Sequence, residues 1–95
     1  MSAAPAPGPP APGPPAVALL LFAAAREAAG VGHAVIDGRT VGEVLDAATA
    51  RFGDGFAAVV RTSRVWVNGS PAERRDPVRP GDEVAVLPPV SGGAA

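Results

Sequence analysis

Apolar positions along the chain fall into short blocks separated by turn residues, and their spacing changes from block to block. Val17 to Phe22 reads Val-Ala-Leu-Leu-Leu-Phe, a continuous apolar run expected of a central strand covered on both faces. One face should meet the domain core, and the other should leave an apolar patch that wants a partner. Ala23 to Ala29, with Arg26 and Glu27 inside, consists of good helix formers and stops at Gly30, predicting one or two helical turns. His33 to Ile36 is a second short strand, closed by the turn pair Asp37-Gly38. From Val41 the period becomes helical: Val41, Val44, Leu45, Ala48 and Phe52 share one face. Thr40 and Glu43 open this helix as a Thr-x-x-Glu capping box, which contributes about 1 kcal/mol, and Gly53 can close it. Glu43, Asp46, Ala47, Ala50 and Arg51 lie away from the apolar stripe as a solvated face.

Asp54 to Ser63 fits two readings: Phe56, Val59 and Val60 form a short helical turn or simply lid the core. Arg64 to Asn68 alternates as a half-buried strand, with Asn68-Gly69 a strong turn signal. Val65 and Val67 are expected inside, with Trp66 and Arg64 on the opposite face. Ala72 to Pro80 is polar and proline-containing, hence a loop, and Pro80-Gly81-Asp82 turns the chain into a last strand, Glu83 to Leu87. The order strand, strand, helix, strand, strand, tail predicts an α+β fold. It suits a mixed sheet with one main helix packed on one face, the ubiquitin-like β-grasp arrangement. Its domain would span residues 17–90, after an arm at 1–16 and before a tail at 91–95.

Composition narrows the chemistry. In 95 residues there is room for one small domain, and Met1 to Ala16 is nearly all Ala, Pro and Gly, which reads as a disordered, partly polyproline arm. Eight basic and nine acidic residues, net -1, leave no electrostatic footprint for nucleic acid or an anionic membrane. The run after Ala16 is too short to span a bilayer, and no basic residue precedes it as a secretion signal requires, so a cytoplasmic location is expected. The chain has no cysteine, which excludes disulfides, thiolate metal sites and a side-chain persulfide. All eight basic residues are arginine, so lysine chemistry is absent too, and His33 stands alone. No catalytic side chains and no metal site are expected.

Attention therefore passes to the chain's end. The last strand runs into Pro88-Pro89, then Val90, Ser91, Gly92 and Gly93, followed by Ala94-Ala95. Two prolines end sheet pairing and push the chain outward, and a Gly-Gly segment can thread a narrow slot in another protein.

The chain resembles the small sulfur-carrier subunit of molybdopterin synthase, of the MoaD/ThiS family. The matching residues are Phe22-Ala23, Arg26-Glu27, Thr40-Val41, Val67-Asn68-Gly69, Gly81-Asp82-Glu83-Val84 and Pro88-Pro89-Val90-Ser91-Gly92-Gly93. The resemblance covers essentially all of residues 17–93. It implies a β-grasp protein whose terminal glycine, here Gly93, is adenylated by an E1-like partner enzyme that uses ATP, then converted to a thiocarboxylate. The tail (Val90, Ser91, Gly92 and Gly93) would then insert into the large catalytic synthase subunit, in a heterotetramer, and give sulfur to a cyclic pyranopterin precursor of the molybdenum cofactor. Phe22, Leu87, Pro88 and Pro89 are the candidate partner surface. No cofactor would be bound by the chain itself.

The family pattern ends at the second glycine, whereas Ala94-Ala95 follow here. Either a tail-trimming protease exposes Gly93, or the two alanines are not native, or this copy does not carry sulfur. Other functions stay open: a carrier for thiazole or another sulfur-containing metabolite, a ubiquitin-like protein modifier, or an interaction module working through its Pro-rich arm.

Overall fold

The computed structural model describes residues 16–89. Residues 1–15 of the expected arm lie outside the described residues, as do residues 90–95, including Val90, Ser91, Gly92 and Gly93; Ala16, expected in the arm, instead opens the first strand.

Eight elements follow one another: β1 (Ala16–Leu21), α1 (Ala23–Ala29), β2 (His33–Asp37), α2 (Val41–Phe52), α3 (Asp54–Arg61), β3 (Arg64–Val67), β4 (Ser70–Pro71) and β5 (Glu83–Leu87). The strands form one mixed sheet in the order β2-β1-β5-β3-β4. β1 lies antiparallel to β2 and parallel to β5, and β3 is antiparallel to both β5 and β4. The first and last long strands are thus central neighbours, as their apolar character requires. The fold is α+β and ubiquitin-like, with helices on one face of the sheet.

Alternation along the strands sorts the side chains into two layers. Val17, Leu19 and Leu21 of β1, Ala34 and Ile36 of β2, and Val84 and Val86 of β5 are buried under the helices. Val41, Val44, Leu45 and Ala48 of α2 close on them, and Phe52 packs at the margin. Val65 and Val67 join from β3, partly buried.

The stretch 54–63, which reads as either a turn or a lid, is a helix. Gly53 joins α2 to α3 at φ +99°, a conformation costly for any residue with a Cβ, and accepts Ala57 N–H at 3.1 Å to begin the new helix. Phe56 is fully buried and meets Phe52 edge to face at 5.3 Å. The single main helix of the sequence pattern is therefore accompanied by two shorter ones. α1 ends at Gly30, which is left-handed at φ +81°, and buries Ala25. The sheet also gains β4, a two-residue strand that Pro71 ends because it has no N–H for a further ladder bond.

The start of α2 shows how the long loop before β5 is held. Four orphan N–H groups need acceptors at a helix start. Val41 N–H donates to Asp76 O at 2.9 Å and Gly42 N–H to Arg74 O at 2.8 Å. Glu43 N–H donates to Thr40 Oγ1 at 3.1 Å, and the first intrahelical bond follows, from Val44 N–H to Thr40 O at 3.0 Å. The reciprocal half of the expected capping box lands one residue earlier: Glu43 Oε1 accepts Arg39 N–H at 2.8 Å. Loop 72–80 is thus pinned by carbonyls, with Val78 buried beneath it.

Candidate functional site: the root of the tail

β1 and β5 run parallel with Leu21 opposite Val86. Both point into the core, so the next residues, Phe22 and Leu87, leave the same end of the sheet toward the helix-free face. Phe22 is the N-cap of α1, extended at φ −126° and ψ 153°, and its carbonyl accepts Ala25 N–H at 3.0 Å. Its side chain remains 46% exposed. Leu87 and Pro88 are half-buried and Pro89 is exposed.

Leu87 pairs with Arg64 across β5 and β3. Together with Thr62, Trp66, Pro88 and Pro89 they line a hollow of about 380 Å³. An apolar band continues from it across the open face. Leu20 pairs with Ala85 and Ala85 with Trp66, so the three half-buried side chains form one cross-strand row. Val35 extends the apolar surface to the outer strand, 60% exposed.

The structure therefore brings Phe22, Leu87, Pro88 and Pro89 to one end of one face. Val90, Ser91, Gly92 and Gly93 continue from Pro89 outside the described residues. Leu20 and Trp66 belong to the same surface and were not among the partner-surface residues expected from the sequence. The signal was present in both cases, since each alternates with buried neighbours on its strand.

The lead into β5 is set by a polar lock. Asn68, at φ +51° in the β3–β4 turn, donates its backbone N–H to Glu83 O at 2.9 Å and accepts Glu83 N–H on Oδ1 at 2.9 Å. Its Nδ2 donates to Asp82 Oδ1 at 3.0 Å, while Asp82 Oδ2 accepts Arg79 N–H at 2.8 Å. These bonds, the Asn68 amide foremost and the Arg79 N–H second, hold the Asp82 carboxyl below its ordinary pKa; slight desolvation opposes them and the Arg79 charge adds to them. Asp82 O also accepts Ala18 N–H from β1 at 2.9 Å, so the turn fixes β5 beside β1. This is positioning of the strand that carries the tail, not acid–base chemistry.

Among the described residues, no group of three or more His, Asp or Glu side chains could hold a metal ion. None of the helices is long and apolar enough to cross a membrane. His33 is exposed on β2, away from the hollow.

A five-stranded mixed sheet under one layer of helices, with its last central strand leaving through two prolines, defines a ubiquitin-like β-grasp protein. The ThiS family model matches residues 19–93, and the chain belongs to that family. It is similar to small archaeal modifier protein 1 from Haloferax volcanii, at 32% identity and TM-score 0.71, over 82% of this chain and 99% of that one. A Pyrococcus furiosus protein assigned as molybdopterin converting factor subunit 1 is 26% identical, with TM-score 0.71, over 80% of this chain and 99% of that one. In a complex of subunits 1 and 2 of molybdopterin-converting factor from Helicobacter pylori 26695, one chain has the same fold. It has TM-score 0.61 at 22% identity, over 82% of this chain and 99% of that one. No curated protein sequence matches the chain.

Proposed function

We propose that the protein is a sulfur carrier acting through Gly93, as the small subunit of a molybdopterin synthase. The observation that carries this reading is the ending Pro-Pro-Val-Ser-Gly-Gly, reached by the family match and rooted beside an exposed apolar surface. The reactive group would be main chain, which is consistent with a chain that has no cysteine and no lysine. In the first step a partner enzyme lets the Gly93 carboxylate attack the α-phosphorus of ATP, expelling pyrophosphate. Hydrosulfide then attacks the acyl carbon, a C–S bond forms as the C–O bond to AMP breaks, and a thiocarboxylate is left. The loaded tail enters the large synthase subunit, which supplies the catalytic groups, and the apolar surface around Phe22 and Leu87 seats the carrier there. Ordering the tail costs about 1–2 kcal/mol per residue, which burial of that surface offsets. The pairing of subunits 1 and 2 in the Helicobacter pylori complex supports this arrangement by analogy of fold.

Because Ala94-Ala95 follow Gly93, the reading requires their removal before activation. Intact mass of the protein isolated from its own cells tests it. The expected species ends at Gly93, with a fraction heavier by the exchange of one oxygen for sulfur. In vitro, a chain ending at Gly93 should be adenylated and the chain carrying both alanines should not. Equal adenylation of the two, or an unmodified Ala95 end during active cofactor synthesis, counts against the proposal.

A second reading is favoured by the similarity to small archaeal modifier protein 1. Here the activated Gly93 would form an isopeptide with a lysine of another protein. Lysines of other cellular proteins joined to a branch peptide that ends in this chain's own Pro-Val-Ser-Gly-Gly sequence, absent from a strain lacking this chain, would select that reading over sulfur transfer.

A further inference from the structure

Beside the hollow at the tail root lies a second, larger groove of about 480 Å³ between α2, α3, β3 and the loop after β4. It exists because β4 is so short. That strand pairs only with Trp66 and Val67, so the outer edge of β3 at Arg64–Val65 is held by a single bond from Ala72 N–H to Val65 O, 2.9 Å, while its inner edge pairs with β5. The floor is apolar, made by Leu45, Val60, Val65 and Pro71, and its size and lining are those of a ligand site.

The charges around it are unequal. Arg74 is committed to Asp46 at 2.7 Å, and Glu73 to Arg75 at 3.0 Å. Arg61 and Arg64 also line the groove, both exposed, and neither has a carboxylate within salt-bridge distance among the described residues. An apolar trough with two uncompensated guanidinium groups on its rim complements a segment that carries carboxylates next to a large apolar side chain. The groove is also continuous with the tail root, because Arg64 and Trp66 line both.

We propose that this groove docks an acidic-apolar segment of the protein that engages the tail, with carboxylates on Arg61 and Arg64 and an apolar side chain over Val60 and Val65. The proposal rests on the reading that the chain works by presenting its tail to a partner. It adds a second attachment point around the edge of the sheet, and a partner holding both would grip β3 from two sides. Arginine at these positions favours bidentate contact with carboxylates, which a lysine would not reproduce.

The test uses the full chain, 15N-labelled, and a short synthetic peptide with the central run Asp-Asp-Leu-Phe. Saturable amide shifts are expected at Ser63, Arg64, Val65, Ala72 and Glu73, with a change in the emission of Trp66, the chain's one tryptophan. Binding should weaken with salt and fall about tenfold with Arg64→Gln and again with Arg61→Gln, as loss of charged hydrogen bonds implies. Both arginines are exposed, so the variants should fold, which their unchanged spectra elsewhere would show. A peptide with lysines in place of the aspartates should bind at least about tenfold more weakly. Equal binding of the lysine peptide, shifts confined to the open face around Val35 and Leu20, or no saturable change at millimolar peptide would each overturn the proposal. The titration needs no activation at Gly93. A chain that forms thiocarboxylate but ignores the peptide therefore defeats the groove alone, and the reverse result defeats the sulfur-carrier reading alone.

Discussion

Asn68 uses its backbone N–H and both ends of its amide to tie the β3–β4 turn to the start of β5. Its partner Asp82 faces the Asn68 amide, the Arg79 N–H and the Arg79 charge, with Glu83 next in the chain. The carboxyl's pKa is lowered in the folded protein, so its contribution to stability is complete above the unfolded value of about 3.9 and is lost as pH falls through the folded value. Thermal unfolding of Asp82→Ala against the parent should show the widest gap at neutral pH. The gap should hold down to about pH 5 and shrink below about pH 4. A gap that stays constant into strong acid would mean that the charge of Asp82 contributes nothing. In the sequence this residue reads only as part of a turn and of the Gly-Asp-Glu-Val motif. Its bond to Asn68, fourteen residues away, depends on how β3 and β5 align, which spacing along the chain does not reveal.

At the scale of elements, α2 is seated so closely that it dictates a glycine before it. A Cβ on Gly38 would stand 2.7 Å from Val44 Cγ2 and 2.8 Å from Val44 N, and the second of these is backbone that cannot swing aside. Gly38→Ala should therefore cost about 1–3 kcal/mol, read by denaturant unfolding. Gly55→Ala, in α3 with nothing within 4 Å, should be neutral or stabilising by up to about 1 kcal/mol. Similar midpoints for both variants would show that α2 can shift away from β2. Periodicity revealed α2 because its stripe is long and capped, and it revealed β1 and β5 because continuous or alternating apolar residues have few other solutions. It did not resolve α3. Asp54-Gly55 suggests a turn, and Phe56, Val59 and Val60 sit at helical spacing over too few residues to distinguish a helix from a lid. β4 carries no apolar alternation at all; pairing alone makes Ser70-Pro71 a strand. The acceptors from loop 72–80 that complete the α2 N-terminus are main-chain carbonyls, so no side chain announces them.

For the whole molecule, the decisive arrangement is that helices cover one face of the sheet while the strand leading to the tail opens onto the other. The candidate partner surface was legible from the ends of two apolar strands, Phe22 and Leu87. Its extension through Leu20, Ala85 and Trp66 needed the strand order that places β5 between β1 and β3. If this face seats the large synthase subunit, Phe22 should matter for association as well as for folding, because about half of it is exposed in the free chain. Covering roughly 80 Å² of aromatic surface at about 25 cal/mol per Å² is worth about 2 kcal/mol. The costs of association are common to parent and variant and cancel in the comparison. Phe22→Ser should therefore weaken binding to the large subunit about thirtyfold, and the chain should stay folded, because a serine at the uncapped N-cap of α1 offsets part of the packing lost from the buried half of the ring. Val35→Ser supplies the contrast: Val35 is more exposed than Phe22 but stands on the outer strand, opposite Ala18 rather than beside the tail. Its effect should be under about threefold if the interface centres on the tail root, where fully desolvated contacts dominate the energy. Calorimetric titration of both variants decides between a seat at the tail root and one spread over the sheet, and an unchanged affinity for Phe22→Ser would remove this face from the interface.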